Sequence, residues 1–368
     1  MISLSVPELN GNELKYLKEC LDSGWVSTAG PYVDDFEKKF NQYIGAKSSI
    51  ATVNGTAALH LALKSLGIGE GDEVIVPSFT FIATANAIKY SGAEPVFVDV
   101  CKDTFVIDAD KIEELITEKT KCILPVHLYG QPADMDKIME IAKKHRLYVV
   151  EDASESLGSK YKGRYTGTIG HAGCFSFNGN KLITTGNGGM LVTQETSTGG
   201  YARYLTSLAK EIGEDGTVYY GEVGYNYKMS CINAAMGLAQ LESINKRIEV
   251  KMRISAQYQK LLKGIQGIKL SMQREECETV FWLNSIIVEK EFEESRDDLI
   301  IRLQREGIET RPFFYPIHMM KPYRSCRHGD LSISEYLMRH GLSLPSSIGL
   351  TDKEIEKVCE NFIKSCPK

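Results

Sequence analysis

Several familiar signatures are missing from this 368-residue sequence, and each absence removes a class of function. No apolar run approaches the roughly 20 residues of a membrane-spanning helix, so no membrane partner is expected. There is no basic surplus. Lys and Arg number 43 against 48 Asp and Glu, giving a net charge of -5 and a pI near 5.9. A general nucleic-acid binder would carry the opposite balance. The nine cysteines (20, 101, 122, 174, 231, 277, 326, 359 and 366) are odd in number, scattered, and include no CxxC pair. That pattern suits reduced thiols in a cytoplasm, not a disulfide framework or a metal site. The start, MISLSVPELNGNELKYL, has no basic segment followed by an apolar stretch, so no signal peptide is expected. No repeat or low-complexity segment is visible. What is left is an ordinary globular composition, long enough for one large core or a large and a smaller domain.

The pattern along the chain gives the fold class. An amphipathic helix is expected over Asn12 to Asp22, and a second over about Val33 to Tyr43, joined by the loop WVSTAGPYV. From residue 50 short apolar strands alternate with helices. Strands are expected at Ser49–Val53, Glu73–Val76, Pro95–Val98, Cys122–Val126, Tyr148–Glu151, Ala172–Phe177 and Met190–Thr193. Helices fall at Gly55–Leu66, Ala83–Ser91, Ala109–Glu118 and Met135–Lys144. This is the α/β pattern of a mainly parallel sheet with helices on both faces. After about residue 230 one long helix is expected, from Cys231 to roughly Lys263. A strand at Phe281–Val288 and helices at Arg296–Glu306 and Asp352–Lys364 follow. The expected division is a large α/β domain over 1–235 and a small α+β domain over 236–368.

Three stretches carry chemistry. Asn54-Gly55-Thr56 follows a strand and opens a helix, where free N–H groups and the helix dipole favour a phosphate. It also reads as an ordinary helix start. VVEDASE ends an apolar strand with Glu151 and Asp152, whose side chains should point to opposite faces. Carboxyl ends of strands are where ligands sit in open α/β sheets. Asp152 there would suit a protonated pyridine nitrogen, or equally a helix N-cap. GCFSFNGNKLITTGNGGM places Lys181 between an alternating apolar run and a glycine turn at 186, 188 and 189. A partly buried lysine at such a place would supply the amine that attacks an aldehyde; a surface lysine in a β-turn would look the same. Asp152, Lys181 and the cup at Gly55-Thr56, with Ser176 as a further phosphate donor and Phe81 on a ring face, form the set that pyridoxal phosphate needs. Core packing would explain Phe81 as well.

Seven stretches make the chain resemble the nucleotide-sugar aminotransferases of the DegT/StrS type, fold-type I pyridoxal phosphate (PLP) enzymes. They are NGTAALHLAL, GDEVIVPSFTFIATANAI, PVHLYG, VVEDASESLGS, FSFNGNKLITTGNGGM, GYNYKMSCINAAMGLAQLE and RPFFYPIH. The resemblance covers nearly the whole chain. It implies that Lys181 is the Schiff-base lysine and proton shuttle, and that Asp152 pairs with the ring nitrogen. Phe81 is implied to stack on the ring, and Gly55, Thr56 and Ser176 to hold the phosphate. Glu155 stands where relatives often carry Gln or His against the ring oxygen. Asn226 is implied to reach the phosphate of a neighbouring subunit, hence a homodimer with shared sites. Arg311, Tyr315 and His318 lie in the segment that helps form the sugar-nucleotide pocket. The implied reaction moves an amino group from L-glutamate, through the pyridoxamine phosphate form, to C4 of a nucleotide-linked 4-keto-6-deoxyhexose. The 4-amino-4,6-dideoxy sugar would serve polysaccharide biosynthesis, such as lipopolysaccharide O-antigen. SVPELNGNELKYLKECLDSGWVS, EDASESLGS and ARYLTSLAK favour a UDP-2-acetamido-4-keto-6-deoxyhexose, while RPFFYPIHMMKPY favours the GDP-perosamine synthase type. Sugar 3-dehydratases of the same fold have His where Lys181 stands, so the lysine argues against that reaction. A PLP-binding scaffold or sensor without activity would be favoured by loss of Lys181 or Asp152, and both are present.

Overall fold

Two helices lead the chain, α1 (Glu13–Ser23) and α2 (Pro31–Ile44). Pro31 opens α2, where its missing N–H is not needed, and Gly45 ends it in the left-handed region at φ 76°. The alternating region comprises β1 (Ser48–Thr52), α3 (Gly55–Ser65), β2 (Glu73–Pro77), α4 (Ala83–Ser91), β3 (Glu94–Val98), β4 (Thr120–Ile123), α5 (Met135–His145) and β5 (Tyr148–Asp152). A small pair follows, β6 (Lys160–Tyr161) and β7 (Arg164–Tyr165), then β8 (Ala172–Ser176), β9 (Gly189–Thr193) and α6 (Thr196–Thr206). The computed structural model describes residues 1–363, so Lys364, the expected end of the last helix, lies outside the described residues.

The large sheet has the order β1-β9-β8-β5-β4-β2-β3. Neighbours from β8 to β3 are parallel, and β9 runs antiparallel to both β1 and β8. Most residues of its strands are buried whichever face they point to, which is why EVIVP, EPVFV and YVVED read as near-continuous apolar runs. α3 and α4 pack on each other, and α3 also packs on β8 and β9.

Two expected helices differ from what forms. Residues 109–118 make only two 3-10 turns, Ala109–Lys111 and Glu113–Leu115. The Asp108 side chain caps the first by accepting the Asp110 N–H, and Ile116 turns extended at ψ 132°, which stops propagation. The long helix after Cys231 is two helices, α7 (Cys231–Glu242) and α8 (Ile244–Leu262), broken at Ser243 with φ -106° and ψ 10°. α7 packs on α1 and α2, whereas α8 packs on the last helix, so the two halves follow different partners. Before them lies an exposed hairpin that the pattern did not reveal, β10 (Lys210–Ile212) and β11 (Val218–Tyr220), turned by Gly216 at φ 81°.

The remainder holds β12 (Ile268–Leu270), β13 (Cys277–Glu278), β14 (Asn284–Val288), α9 (Arg296–Arg305), β15 (Arg311–Pro312), α10 (Ser332–His340), β16 (Gly341–Leu344) and α11 (Asp352–Ile363). Its antiparallel sheet, ordered β12-β14-β16-β15, shares a core with α8, α9 and α11 through Tyr258, Leu299, Leu303, Ile355 and Phe362. Among the described residues no helix is long and apolar enough to cross a membrane, and no group of three His, Cys, Asp or Glu is placed to hold a metal ion.

Candidate active site

A cleft of about 480 Å³ lies at the carboxyl ends of the parallel strands. Its wall includes Gly55 and Thr56 from the first turn of α3, Phe81, Asp152, Glu155, Ser176, Lys181 and Arg311. One cleft therefore gathers eight of the eleven residues singled out from the sequence.

The helix start is built for an anion. Asn54 caps α3, its side chain accepting the Ala57 N–H at 2.8 Å and its carbonyl the Ala58 N–H at 3.2 Å. The Gly55 and Thr56 N–H groups precede any carbonyl of the helix that would serve them, so they are left for a ligand. A Cβ at Gly55 would stand 2.9 Å from Ser176 Cβ and 3.3 Å from its Oγ. The missing side chain is what lets the Ser176 hydroxyl lie against the helix start. A Cβ at Gly189 would meet the Asn54 carbonyl carbon at 2.5 Å, so this glycine brings the end of the Lys181 loop against the same turn. Two free N–H groups and the hydroxyls of Thr56 and Ser176 match a phosphate.

Glu151 and Asp152 do point apart. Glu151 is fully buried on one face and accepts four hydrogen bonds, from His127 Nε2 at 2.9 Å and the N–H groups of Gly167, Ile169 and Gly170 at 2.6–2.8 Å. His127 Nδ1 accepts the Ala133 N–H at 3.0 Å, which places the ring proton on Nε2. Asp152 faces the cleft and is 5% exposed. Its Oδ2 accepts the Thr84 hydroxyl at 2.8 Å and its Oδ1 the Ser154 N–H at 3.1 Å. Its backbone is fixed on both sides, N–H to the Pro125 carbonyl and carbonyl from the His127 N–H. Thr84 sits inside PSFTFIATAN, yet no spacing rule marks it as the partner of Asp152.

Lys181 lies in the loop between β8 and β9. Its Nζ donates to Glu155 Oε1 at 3.3 Å and sits 3.8 Å from the centroid of the Trp282 ring. Glu155 also accepts the Tyr129 N–H at 3.0 Å. Burial pushes the Glu155 carboxyl above its usual range, against the opposing pull of Lys181. Trp282, 3% exposed, was not marked by the sequence; its Nε1 donates to the Asn180 carbonyl at 2.8 Å. Asn180 itself lines the cleft, and its buried Oδ1 has no hydrogen-bond partner among the described residues.

Phe81 is 56% exposed, with Phe314 6.1 Å away between ring centroids. Tyr315, 47% exposed, does not line the cleft. His318 does not either: its Nδ1 pairs with the Ser78 hydroxyl at 2.7 Å. Burial and the neighbouring His328 hold its pKa below the ordinary value. Asn226 is exposed, away from the cleft of its own chain, beside Ser207 in a short antiparallel bridge.

Comparison with known proteins agrees with this geometry. Residues 7–363 match the model of the DegT/DnrJ/EryC1/StrS aminotransferase family. The GDP-perosamine synthase of Caulobacter vibrioides is 44% identical over 359 residues, 97% of this chain and 96% of that protein. The GDP-perosamine synthase of Escherichia coli O157:H7 is 43% identical over 356 residues, again covering 97% and 96%. The PLP-form of Spr1654 from Streptococcus pneumoniae superposes with a TM-score of 0.93 at 28% identity, covering 99% of this chain and 98% of the other. The residues around the cleft fit that cofactor, because the helix start at Gly55, the Asp152 carboxylate at the strand end and Lys181 all line it. The chain belongs to the DegT/DnrJ/EryC1/StrS aminotransferase family and is a PLP-dependent sugar aminotransferase of fold type I.

Proposed function

We propose that the chain moves an amino group from L-glutamate to C4 of GDP-4-keto-6-deoxy-D-mannose, giving GDP-perosamine. The observation that carries this reading is full-length similarity at 43–44% identity to two proteins named GDP-perosamine synthase. The motifs that favoured a UDP-2-acetamido sugar weigh less than that agreement along the whole chain.

When bound, PLP supplies an aldehyde for an amine and a ring that, protonated at nitrogen, withdraws electrons from the reacting carbon. On this reading the Gly55 and Thr56 N–H groups and the Thr56 and Ser176 hydroxyls hold its phosphate. Phe81 covers a ring face. Asp152, steadied by Thr84, keeps a proton on the ring nitrogen. Lys181 would provide the amine that meets the aldehyde, and its Nζ would carry the proton that the reaction moves. Glu155 takes up the charge of the freed Lys181, the contact already present at 3.3 Å. Arg311 meets the sugar nucleotide from the cleft wall, and Tyr315 and His318, in the same segment, complete the sugar-nucleotide pocket. Asn226 serves the phosphate of a second chain, so the working form is a homodimer with shared sites, in the cytoplasm where nucleotide sugars are made.

The substrate is tested in reverse. GDP-perosamine, a UDP-bacillosamine-type sugar and a dTDP-4-amino sugar are each offered with 2-oxoglutarate, and glutamate is measured. GDP-perosamine should lead by about tenfold or more in kcat/KM, the discrimination that one or two nucleotide contacts supply. Preference for the UDP sugar would overturn the assignment. The cradle has its own test. Gly55→Val places carbon where Ser176 already lies at 2.9 Å. PLP affinity, followed by absorbance titration, should fall by about tenfold or more, equivalent to about 1.4 kcal/mol, while circular dichroism stays native. Unchanged affinity would remove Gly55 from the phosphate site.

A further inference from the structure

Lys251 is a charged side chain where none is expected. It lies in α8, is 2% exposed, and has no acidic partner among the hydrogen bonds of its amine. Its Nζ donates to the Trp282 carbonyl at 2.8 Å and to the Ser346 carbonyl. Burial pushes its pKa down to about 7, so either protonation state is accessible near neutrality, and both keep two donors for the two carbonyls. Burying a lysine only to join two loops is an expensive way to do it, since apolar packing would serve at less cost.

What those carbonyls belong to gives the arrangement its meaning. Trp282 follows Phe281, a bulky residue held at φ 47°, in the left-handed region that side chains rarely adopt. Such a conformation persists only where neighbours over-determine it. The restraints are visible. Lys251 holds the carbonyl of Trp282, the Asn180 carbonyl holds its indole N–H at 2.8 Å, and the ring face is left against Lys181 Nζ at 3.8 Å. The Ser346 side of the clamp is tied in turn to the start of the chain. Ser346 N–H donates to the Leu4 carbonyl at 2.6 Å, and the Ser5 hydroxyl donates to Asn180 O at 3.0 Å. Lys251 is thus the joint of a block that ends on both sides of the reactive lysine.

We propose that Lys251 is a positioning residue for Lys181: by fixing the Trp282 carbonyl it sets the indole face against which the Lys181 amine rests. The assignment rests on the reading of Lys181 as the amine and proton carrier, and it acts through Trp282 without touching substrate. The indole and Glu155 together define one resting place for Nζ, which shortens the search between successive proton transfers.

The test uses the fact that the chain has two tryptophans, of which Trp25 is half exposed. In a Trp25→Phe background, Trp282 alone reports by fluorescence. Lys251→Met should red-shift its emission and open it to acrylamide in the cofactor-free protein, a readout independent of turnover. In the holoenzyme, stopped-flow absorbance follows the half-reaction with L-glutamate alone. That rate should fall about tenfold with the glutamate KM within about twofold. The Lys251→Met effect on rate should vanish in a Trp282→Leu background, because the indole that the clamped carbonyl positions against Lys181 is then gone. Lys251→Arg keeps the donors and should restore both signals; if Lys251→Met does not fold, Lys251→Gln carries the same cycle. Unmoved emission, or rate effects that simply add, would overturn the proposal. Because no sugar nucleotide enters the experiment, a wrong sugar assignment leaves its result intact, and Lys181→Ala tests the amine separately.

Discussion

Lys181→Ala should lose steady-state transamination by about 10⁴-fold or more, since both the covalent attachment and the proton carrier go with one side chain. The phosphate cradle proposed at Gly55, Thr56 and Ser176 does not involve this residue, so PLP should still bind, with its absorbance that of an unattached aldehyde. The substitution also removes the cation that faces Glu155 at 3.3 Å. A carboxyl already raised by burial then rises further, and Glu155 should take up a proton at a higher pH than in the native chain. Added methylamine should return part of the glutamate half-reaction, because a small base can enter the space that the side chain vacates. Turnover within about tenfold of the native enzyme would remove Lys181 from the chemistry.

The second large effect is expected at Asp152. Asparagine keeps the shape and can still accept from the Thr84 hydroxyl, but it cannot hold a proton on a ring nitrogen by charge. kcat for glutamate should fall by about 10³-fold, in the range seen when a preorganised electrostatic group is lost, with KM changed far less. Unfolding temperature is the control. Asp152 N–H and carbonyl are both bonded in the sheet, so the backbone should survive the change. A raised KM with kcat unchanged would mean that Asp152 contacts substrate instead.

Much of the α/β region was legible because buried strands are short, apolar and bounded by turn residues. TVNGTAALHLAL and YVVEDASE each show a strand, its end and the polar residues at that end. The glycine turn after Lys181 was legible too, since Gly186 at φ 80° occupies a backbone conformation that other residues resist. What was not legible depends on distant partners. Ser243 carries no breaker signal; the helix stops there because α7 and α8 pack on different neighbours. Residues 109–118 have helical spacing, and a local Asp108 cap with an extended Ile116 diverted them. Trp282 and Thr84 reach the site across 101 and 68 residues to Lys181 and Asp152, and no periodicity records such a meeting. The placement of Asn226, Tyr315 and His318 outside the cleft was equally invisible, because motif likeness carries no distances.

The antiparallel strand β9 has a consequence for how the protein is made. Among the described residues β1 has no neighbour in the large sheet except β9, with Thr52 opposite Gly189. The strand that delivers the phosphate cradle therefore waits for residues translated long after it. A growing chain that has exposed β1, α3 and even β8 still has an unpaired strand at the base of the cradle. Such pairing between distant segments is slow and comes late. A cofactor that uses this cradle can act only after β9 has paired with β1, so its supply during synthesis should bear on the survival of the folded chain more than on the rate at which the chain collapses.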